Sequence, residues 1–329
     1  MNVTQPGESV PIWVDLADID EKPGPYCMSF GFDLKSLIRS IQRVGLINTP
    51  FVSKEKEARI EVVAGYRRIL SLKYLNWEKA ACNELITDSV AYPKLELLLF
   101  NLHDNLATRP FNDVEKGMIL SRLALHLSRE ELLETYMPLL ALPCHESTLD
   151  LYLRLQDLGE PIKQAFASRR LSLQTIKAFL EMDLNSRTSL FSWISKMKLN
   201  FNQQLQLIEY ASDISVKEAT NIPLLFTEKA LSRIVEDQKT NNPQKAKLVL
   251  EWLRVRRYPS LTRSEKAFQK RISSLRLPEG VRVSHPPYFE KPGYCLEIFF
   301  DNGKALKEKI SALSRLKDLE KVGDPWSED

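Results

Sequence analysis

Two short constellations hold the residues of this chain best suited to chemistry. The first is Gly65-Tyr66-Arg67-Arg68, which follows an apolar β-branched run containing Ile60, Val62 and Val63. Glycine lets backbone approach a phosphate closely. The unpaired N–H groups and the dipole at a helix N-terminus favour anions, and arginine adds paired donors matched to phosphate oxygens. A strand, a glycine and two arginines at a helix start can therefore form an anion site, although the same spacing also suits two ordinary surface charges. The second is Asp104-Asn105, near the end of a helical run and ahead of a loop over residues 107–110. A carboxylate beside an amide offers oxygen ligands to a hard cation such as Mg2+; the plainer reading is a polar helix end.

Other chemistries find little support. The four cysteines, Cys27, Cys82, Cys144 and Cys295, are scattered without a C-x-x-C pair or a histidine at metal spacing. Structural zinc is not expected, and a reducing compartment is the simplest setting. Four histidines (His103, His126, His145, His285) are too few for a His-rich centre. The net charge of +3 leaves nucleic acid open, so the distribution of charge has to decide. The longest apolar run, around residues 95–102, is interrupted by Glu96 and Asn101, and residues 1–6 lack the features of a signal peptide. The expectation is a cytoplasmic, nucleoid-associated protein with no membrane partner.

The elements that must position these residues follow from periodicity. Residues 10–16 alternate as a strand. Leu34, Leu37, Ile38, Ile41 and Val44 recur at helical spacing, and Gly45 supplies the stop. Strands are expected over 50–53, 60–63 and 79–86, joined by a charged turn and by a helix over 67–75. Beyond Pro93 the chain reads as helical. Asn112 with Glu115 and Ser128 with Glu131 give capping boxes, and Ser147 with Asp150 resembles one. Helices over 244–257 and 263–274, strands over 280–284 and 294–300 linked through Pro292, and an amphipathic helix over 304–319 close the chain. With 329 residues and 43% hydrophobic content, two or three domains are expected. The fold class is α+β: a small α/β nucleotide-binding domain (1–92), a mostly helical helix-turn-helix-like domain (93–183), a helical linker or domain (184–242), and a basic α+β domain (243–329).

Taken in order, residues 40–50, then Val63-Ala64-Gly65-Tyr66-Arg67-Arg68 with Asn76-Trp77, then residues 103–115, resemble the N-terminal domain of the ParB family of chromosome and plasmid partition proteins. With the helical part the resemblance covers residues 10–180. It implies a ParB/sulfiredoxin-type fold that binds CTP with Mg2+. By that similarity Gly45, Leu46 and Asn48 face the cytosine. Gly65, Tyr66, Arg67, Arg68, Asn105 and Arg109 hold the nucleotide, and Asp104 and Asn105 lie at the metal, Asp104 being the catalytic candidate. In the family, CTP closes two N-terminal domains into a sliding DNA clamp, and slow hydrolysis reopens it. A homodimer and a ParA-like ATPase are the implied partners beside DNA and nucleotide.

Three departures qualify the implied chemistry. Tyr66 stands where the family has glutamate, Asp104 is one methylene shorter than the usual glutamate, and the arginine expected at 108 is Thr108, with Arg109 following. Binding tolerates such changes better than turnover, which is sensitive to ångström-scale placement. Slow CTP hydrolysis is the only enzymatic activity the resemblance implies. A non-hydrolysing DNA-binding regulator or adaptor is one alternative, and a phosphotransferase or nuclease on the same scaffold is another. Sulfiredoxin chemistry is not expected, since no cysteine stands in this loop.

For DNA, residues 128–137 and 147–158 look like a degenerate helix-turn-helix with nine residues between the helices and an acidic second helix, on which Arg154 is opposed by Glu146, Asp150 and Asp157. Arg169 and Arg170 follow as phosphate contacts. Residues 245–276 carry ten cations, among them Arg254, Arg256, Arg257, Lys270 and Arg271, against Glu251 and Glu265. Such a run suits sequence-independent phosphate binding, or simply a solvated helix face. The stripe Leu306, Ile310, Leu313, Leu316 and Leu319 is a dimer seam or core.

Overall fold

A computed structural model describes residues 9–54, 60–86, 93–291 and 293–316. The N-terminal six residues, the charged turn at 55–59, Pro292 and Leu319 lie outside the described residues. The chain divides into two compact units, Met1–Arg187 and Thr188–Asp329.

In the first unit the expected small α/β layer is present. Its elements run β1 (Ser9–Asp15), α1 (Lys35–Val44), β2 (Phe51–Lys54), β3 (Ile60–Ala64), α2 (Tyr66–Tyr74) and β4 (Lys79–Leu85). The strands pair in the order β1-β4-β2-β3. Among the described residues only the β2–β4 pair is parallel, a pairing that a tight hairpin cannot make and that the β3–α2 crossover supplies. Leu16, expected in the first strand, opens a short 3-10 turn instead. One sheet face buries Val14, Val52, Val62, Ala80 and Cys82 against Ile41 of α1 and Ile69 and Leu72 of α2. Each large aliphatic side chain so buried contributes about 1.5–3 kcal/mol.

Helices α3 (Pro93–Leu106) and α4 (Asp113–Leu123) follow. The capping boxes at Asn112/Glu115 and Ser128/Glu131 are both formed. A Cβ at Gly117 of α4 would lie 2.7 Å from the Tyr152 carbonyl oxygen, so glycine there lets α4 pack closely on the helix Glu146–Arg154. The stretch expected as one helix over 128–137 is instead two short α-helical pieces, Arg129–Glu131 and Met137–Leu139, either side of a π-helical turn at Leu132–Tyr136. Pro138 contributes no N–H, which suits a break in the ordinary ladder. The second helix is capped at His145 without a side-chain bond, not at Ser147. Asp150 is engaged by Arg129 at 2.7 Å and so does not serve as a cap partner.

In the second unit the helix Phe201–Lys217 packs on Asn242–Arg257. The following helix starts at Pro259, four residues ahead of the expected 263, because proline at the first turn gives up no needed donor. A hairpin of β5 (Val281–Ser284) and β6 (Cys295–Ile298) precedes the helix Gly303–Ser314. In the stripe on that helix Leu313 is buried and Ile310 is exposed. The molecule is therefore α+β, as the sequence indicates. No helix among the described residues is long and apolar enough to cross a membrane.

Candidate functional site

The Gly65 turn sits where β3 ends and α2 begins. Its φ of 90° is left-handed, and a Cβ would lie 3.0 Å from the Pro50 Cα and 3.2 Å from Arg68 Nη1. Glycine is required twice over, by conformation and by space. The same contact brings the 45–50 segment against the arginine loop. That segment leaves α1 through Gly45 (φ 74°), whose N–H reaches the Ile41 carbonyl at 2.9 Å. Leu46 packs into the core while Asn48 is exposed. Asn83 of β4 fixes the segment's far end, its backbone N–H donating to the Pro50 carbonyl (2.9 Å) and its amide to Thr49 Oγ1 (2.8 Å).

At the start of α2 the N–H groups of Arg68 and Ile69 both turn to the Gly65 carbonyl. The Arg68 guanidinium has no partner among the described residues, and it lies over the Gly65–Pro50 contact. Arg67 is placed differently. Its Nη2 donates to Glu115 Oε1 at 3.1 Å, and its guanidinium stacks over Phe32 at 4.7 Å. Burial, and then the charge of Arg109, lower its pKa, while Glu115 works the other way.

Glu115 is the hub of the site. Only 1% exposed, it accepts bonds from Arg67, from Arg109 Nη1 (2.7 Å), and from the backbone N–H of Phe30 and Asn112 (3.0 Å each). Arg109 also donates from Nε to Asn105 Oδ1 (3.0 Å), and from Nη2 to the Met28 carbonyl and Ser29 Oγ. Asn105 in turn donates to Asn101, and the buried Asn101 amide donates to the carbonyls of Tyr26 and Val63. The chain of bonds from Val63 through Asn101, Asn105, Arg109 and Glu115 to Arg67 closes a ring around the Gly65 turn. Removing one partner from such a buried pair costs about 3–5 kcal/mol. Sequence reasoning saw Glu115 as a cap and as part of the resembling motif, and Asn101 only as a break in an apolar run; the burial that gives them these roles has no local signature.

The remaining predicted residues are placed as follows. The Asp104 carboxylate has no partner among the described residues, whereas both polar atoms of Asn105 are committed. Thr108 returns its hydroxyl to the carbonyls of Asp104 and Asn105 and so finishes the helix. Tyr66 donates its hydroxyl to the Glu21 carbonyl at 2.6 Å, and its pKa is pushed up to about 12, by burial first and then by Cys27, Asp20 and Glu21. A cavity of about 220 Å³ opens beside Tyr66, rimmed by Asp20, Lys22 and Glu61. Two carboxylates against one lysine make it a poor seat for phosphate.

The residues expected on DNA-facing surfaces fall into two groups. Arg154 is paired with Glu181 (2.6 Å) and the Leu180 carbonyl. Arg169 and Arg170 are exposed, Arg169 in a left-handed conformation and Arg170 donating to Ser168 Oγ. In the second unit, Arg254 bonds Glu265 and lies 3.7 Å from Glu251. Arg256 bonds Glu218 and Glu228, and Arg257 bonds Glu209 and Asp213. These three arginines, expected on a basic surface, are turned onto carboxylates of neighbouring segments. Lys270 is exposed on the helix Pro259–Ser274, and Arg271 is half-buried.

No family model matches the chain. The nucleoid occlusion protein of Halalkalibacterium halodurans is 27% identical over 220 residues, which cover 64% of this chain and 64% of that protein's length. A protein of Chlamydia muridarum named "Probable chromosome-partitioning protein ParB" is 28% identical over 229 residues, 65% of this chain and 78% of that one. Among solved structures, C-terminally truncated ParB from Caulobacter crescentus complexed with CTP-gamma-S matches 53% of this chain and 93% of that chain, at 16% identity and a TM-score of 0.26. The chain is similar in sequence to a nucleoid occlusion protein and to probable ParB chromosome-partitioning proteins, and these similarities support the ParB family.

Proposed function

We propose that the chain is a DNA-associated ParB-like protein of chromosome or plasmid partition whose first unit binds a nucleoside triphosphate. By the family resemblance that nucleotide is CTP, and its binding gates association of a homodimer with DNA, alongside a ParA-like ATPase. One observation carries the reading: the Gly65 turn gathers three guanidiniums, Arg67 and Arg109 bonded to the one buried carboxylate of Glu115 and Arg68 lying over the Gly65–Pro50 contact. Such an excess of positive charge, beside a glycine turn at a helix N-terminus, is suited to a polyphosphate. The adjoining 45–50 segment offers the exposed Asn48 and backbone groups for a base.

The donor set fits a Mg2+ ion that arrives with the nucleotide. Asp104 supplies one uncommitted carboxylate, and phosphate oxygens and waters complete the shell in the usual way for this ion. Asn105 joins that shell only by giving up Arg109. When bound, the ion neutralises phosphate charge. Asp104 orients it, and the Gly65 turn shapes the approach of the phosphates.

A second reading, binding without turnover, is favoured by Tyr66. Its hydroxyl is tied to the Glu21 carbonyl, so the position where the family carries a carboxylate offers no base. Equilibrium binding of CTP, ATP and GTP, each with and without Mg2+, tests the main reading. We expect a clear preference for CTP that Mg2+ strengthens. Equal or absent binding of all three overturns it, and ATP-dependent phosphorylation of a small acceptor points to a phosphotransferase instead. Release of phosphate from bound CTP separates slow turnover from binding alone.

For DNA, exposed cations on the helix Pro259–Ser274, Arg263, Lys266 and Lys270, are better placed than the paired arginines beside them. Binding through them is sequence-independent and weakens steeply with salt.

A further inference from the structure

We infer that Glu115 decides which arginine of this site binds phosphate: by engaging Arg67 and Arg109 it leaves Arg68 as the phosphate-binding guanidinium. The inference rests on the nucleotide reading above and deepens it. The pattern of residues offers Arg67, Arg68 and Arg109 as equivalent donors, but the geometry does not.

The three side chains differ in what they have left to give. Arg109 has committed all three of its nitrogens: Nε to Asn105, Nη1 to Glu115, and Nη2 to the Met28 carbonyl and Ser29 Oγ. It also lies over the Phe111 ring at 4.8 Å, so both its edges and a face are in use. Arg67 has spent Nη2 on Glu115 and a face on Phe32, and its Nε is buried without a partner. Reaching for a ligand with Nη2 would strip it from a carboxylate that is 1% exposed and cannot be compensated by water, which leaves Arg67 only its Nη1 edge to offer. Arg68 carries no such obligation among the described residues, and its guanidinium lies at the Gly65–Pro50 contact, where the two ligand-facing segments meet.

Glu115 is thus a positioning residue. It touches no ligand, yet it subtracts one charge from the site and orients two of its three cations. It also ties the loop at Phe30, helix α2 and the first turn of α4 to one point. Arg109 and Asn105 act through the same network and not by direct contact with phosphate.

The test uses the full chain, with CTP and inorganic tripolyphosphate as probes. Arg68→Gln is expected to weaken both by roughly 10- to 100-fold, the loss of a charge-assisted bond, with an unchanged melting temperature. Arg109→Gln is expected to lower the melting temperature but to change tripolyphosphate affinity by less than about three-fold. Glu115→Gln keeps the shape and the cap acceptor, and releases two guanidiniums. It is expected to tighten tripolyphosphate binding several-fold while lowering stability, a gain that a purely structural residue does not give. Should Glu115→Gln fail to fold, the Arg68→Gln and Arg109→Gln pair still decides. Equal losses in those two variants, or an unchanged Arg68→Gln, overturn the inference while leaving nucleotide binding intact. A wild-type chain that binds neither probe removes the nucleotide reading itself.

Discussion

Two arginine clusters, one in each unit, look alike in sequence and differ in their counter-charges. Around the Gly65 turn, Arg67 and Arg109 share the single carboxylate of Glu115, and Arg68 beside them has no carboxylate partner among the described residues. Along the helix Asn242–Arg257, Arg254, Arg256 and Arg257 face Glu251, Glu265, Glu218, Glu228, Glu209 and Asp213. The first cluster keeps an excess of positive charge in a half-buried setting, where Coulomb attraction for an incoming anion is strong. The second is more than neutralised, and a phosphate there must displace carboxylates already in place. Hydrogen bonding to Glu218 holds the Arg256 guanidinium well above its ordinary pKa, as expected of a cation locked into its pair. A run of cations is therefore no measure of a basic surface; the measure is the charge left after pairing.

The largest expected effect comes from breaking the shared carboxylate. Glu115→Ala leaves two guanidiniums without their buried counter-ion and should cost about 3–5 kcal/mol of stability in a denaturant titration. Glu209→Ala, the matched change in the second cluster, should cost less than about 1 kcal/mol, since Glu209 is exposed and Arg257 retains Asp213. Comparable losses would erase the distinction between the clusters.

Next in size is Gly65→Ala. With φ at 90° and Pro50 at 3.0 Å, the added methyl should cost about 1–3 kcal/mol and push the 45–50 segment away from Arg68, weakening any nucleotide bound between them. Retained stability together with retained binding would show that the contact is looser than described.

The DNA comparison is finer. Substituting Lys266 or Lys270 with Gln should lower the salt-dependence slope of DNA affinity by about one each, whereas Arg256→Gln should leave it nearly unchanged. An Arg256 effect as large as the lysine effects would place that arginine on the DNA after all.

The smallest effect concerns Tyr66. Its phenol has a folded-state pKa of about 12, above the ordinary 10, so the folded state holds the proton more tightly than the unfolded state does. That contribution is complete below pH 10 and is lost as pH rises from 10 through 12. Tyr66→Phe should flatten the stability curve across that window alone, and an unchanged slope there would mean that the hydroxyl is not held as described.

Much of the fold was readable because periodicity and punctuation are local. Gly45 ended α1, Gly65 preceded α2, and the capping boxes at Asn112 and Ser128 fell where Ser/Asn and Glu stand three apart. Less was readable where a local rule competed with a partner distant in sequence. Ser147 and Asp150 look like a cap, yet Arg129 takes Asp150 from a segment twenty-one residues away. Pro138 turned an expected helix into a π-helical interruption. The opposed charges in the second unit were invisible for the same reason, since Glu218 and Glu228 lie far along the chain from Arg256.

The sequence by itself determined the identity and order of the motifs: a glycine turn with two arginines, an acidic-amide pair after it, and the family they resemble. Those properties live in residue types a few positions apart, where spacing and periodicity carry the information. Only the tertiary structure decided which arginine is spent and which is available. That outcome depends on Glu115 being buried between α2, α4 and the Phe30 loop, an arrangement set by packing between segments 48 and 85 residues apart.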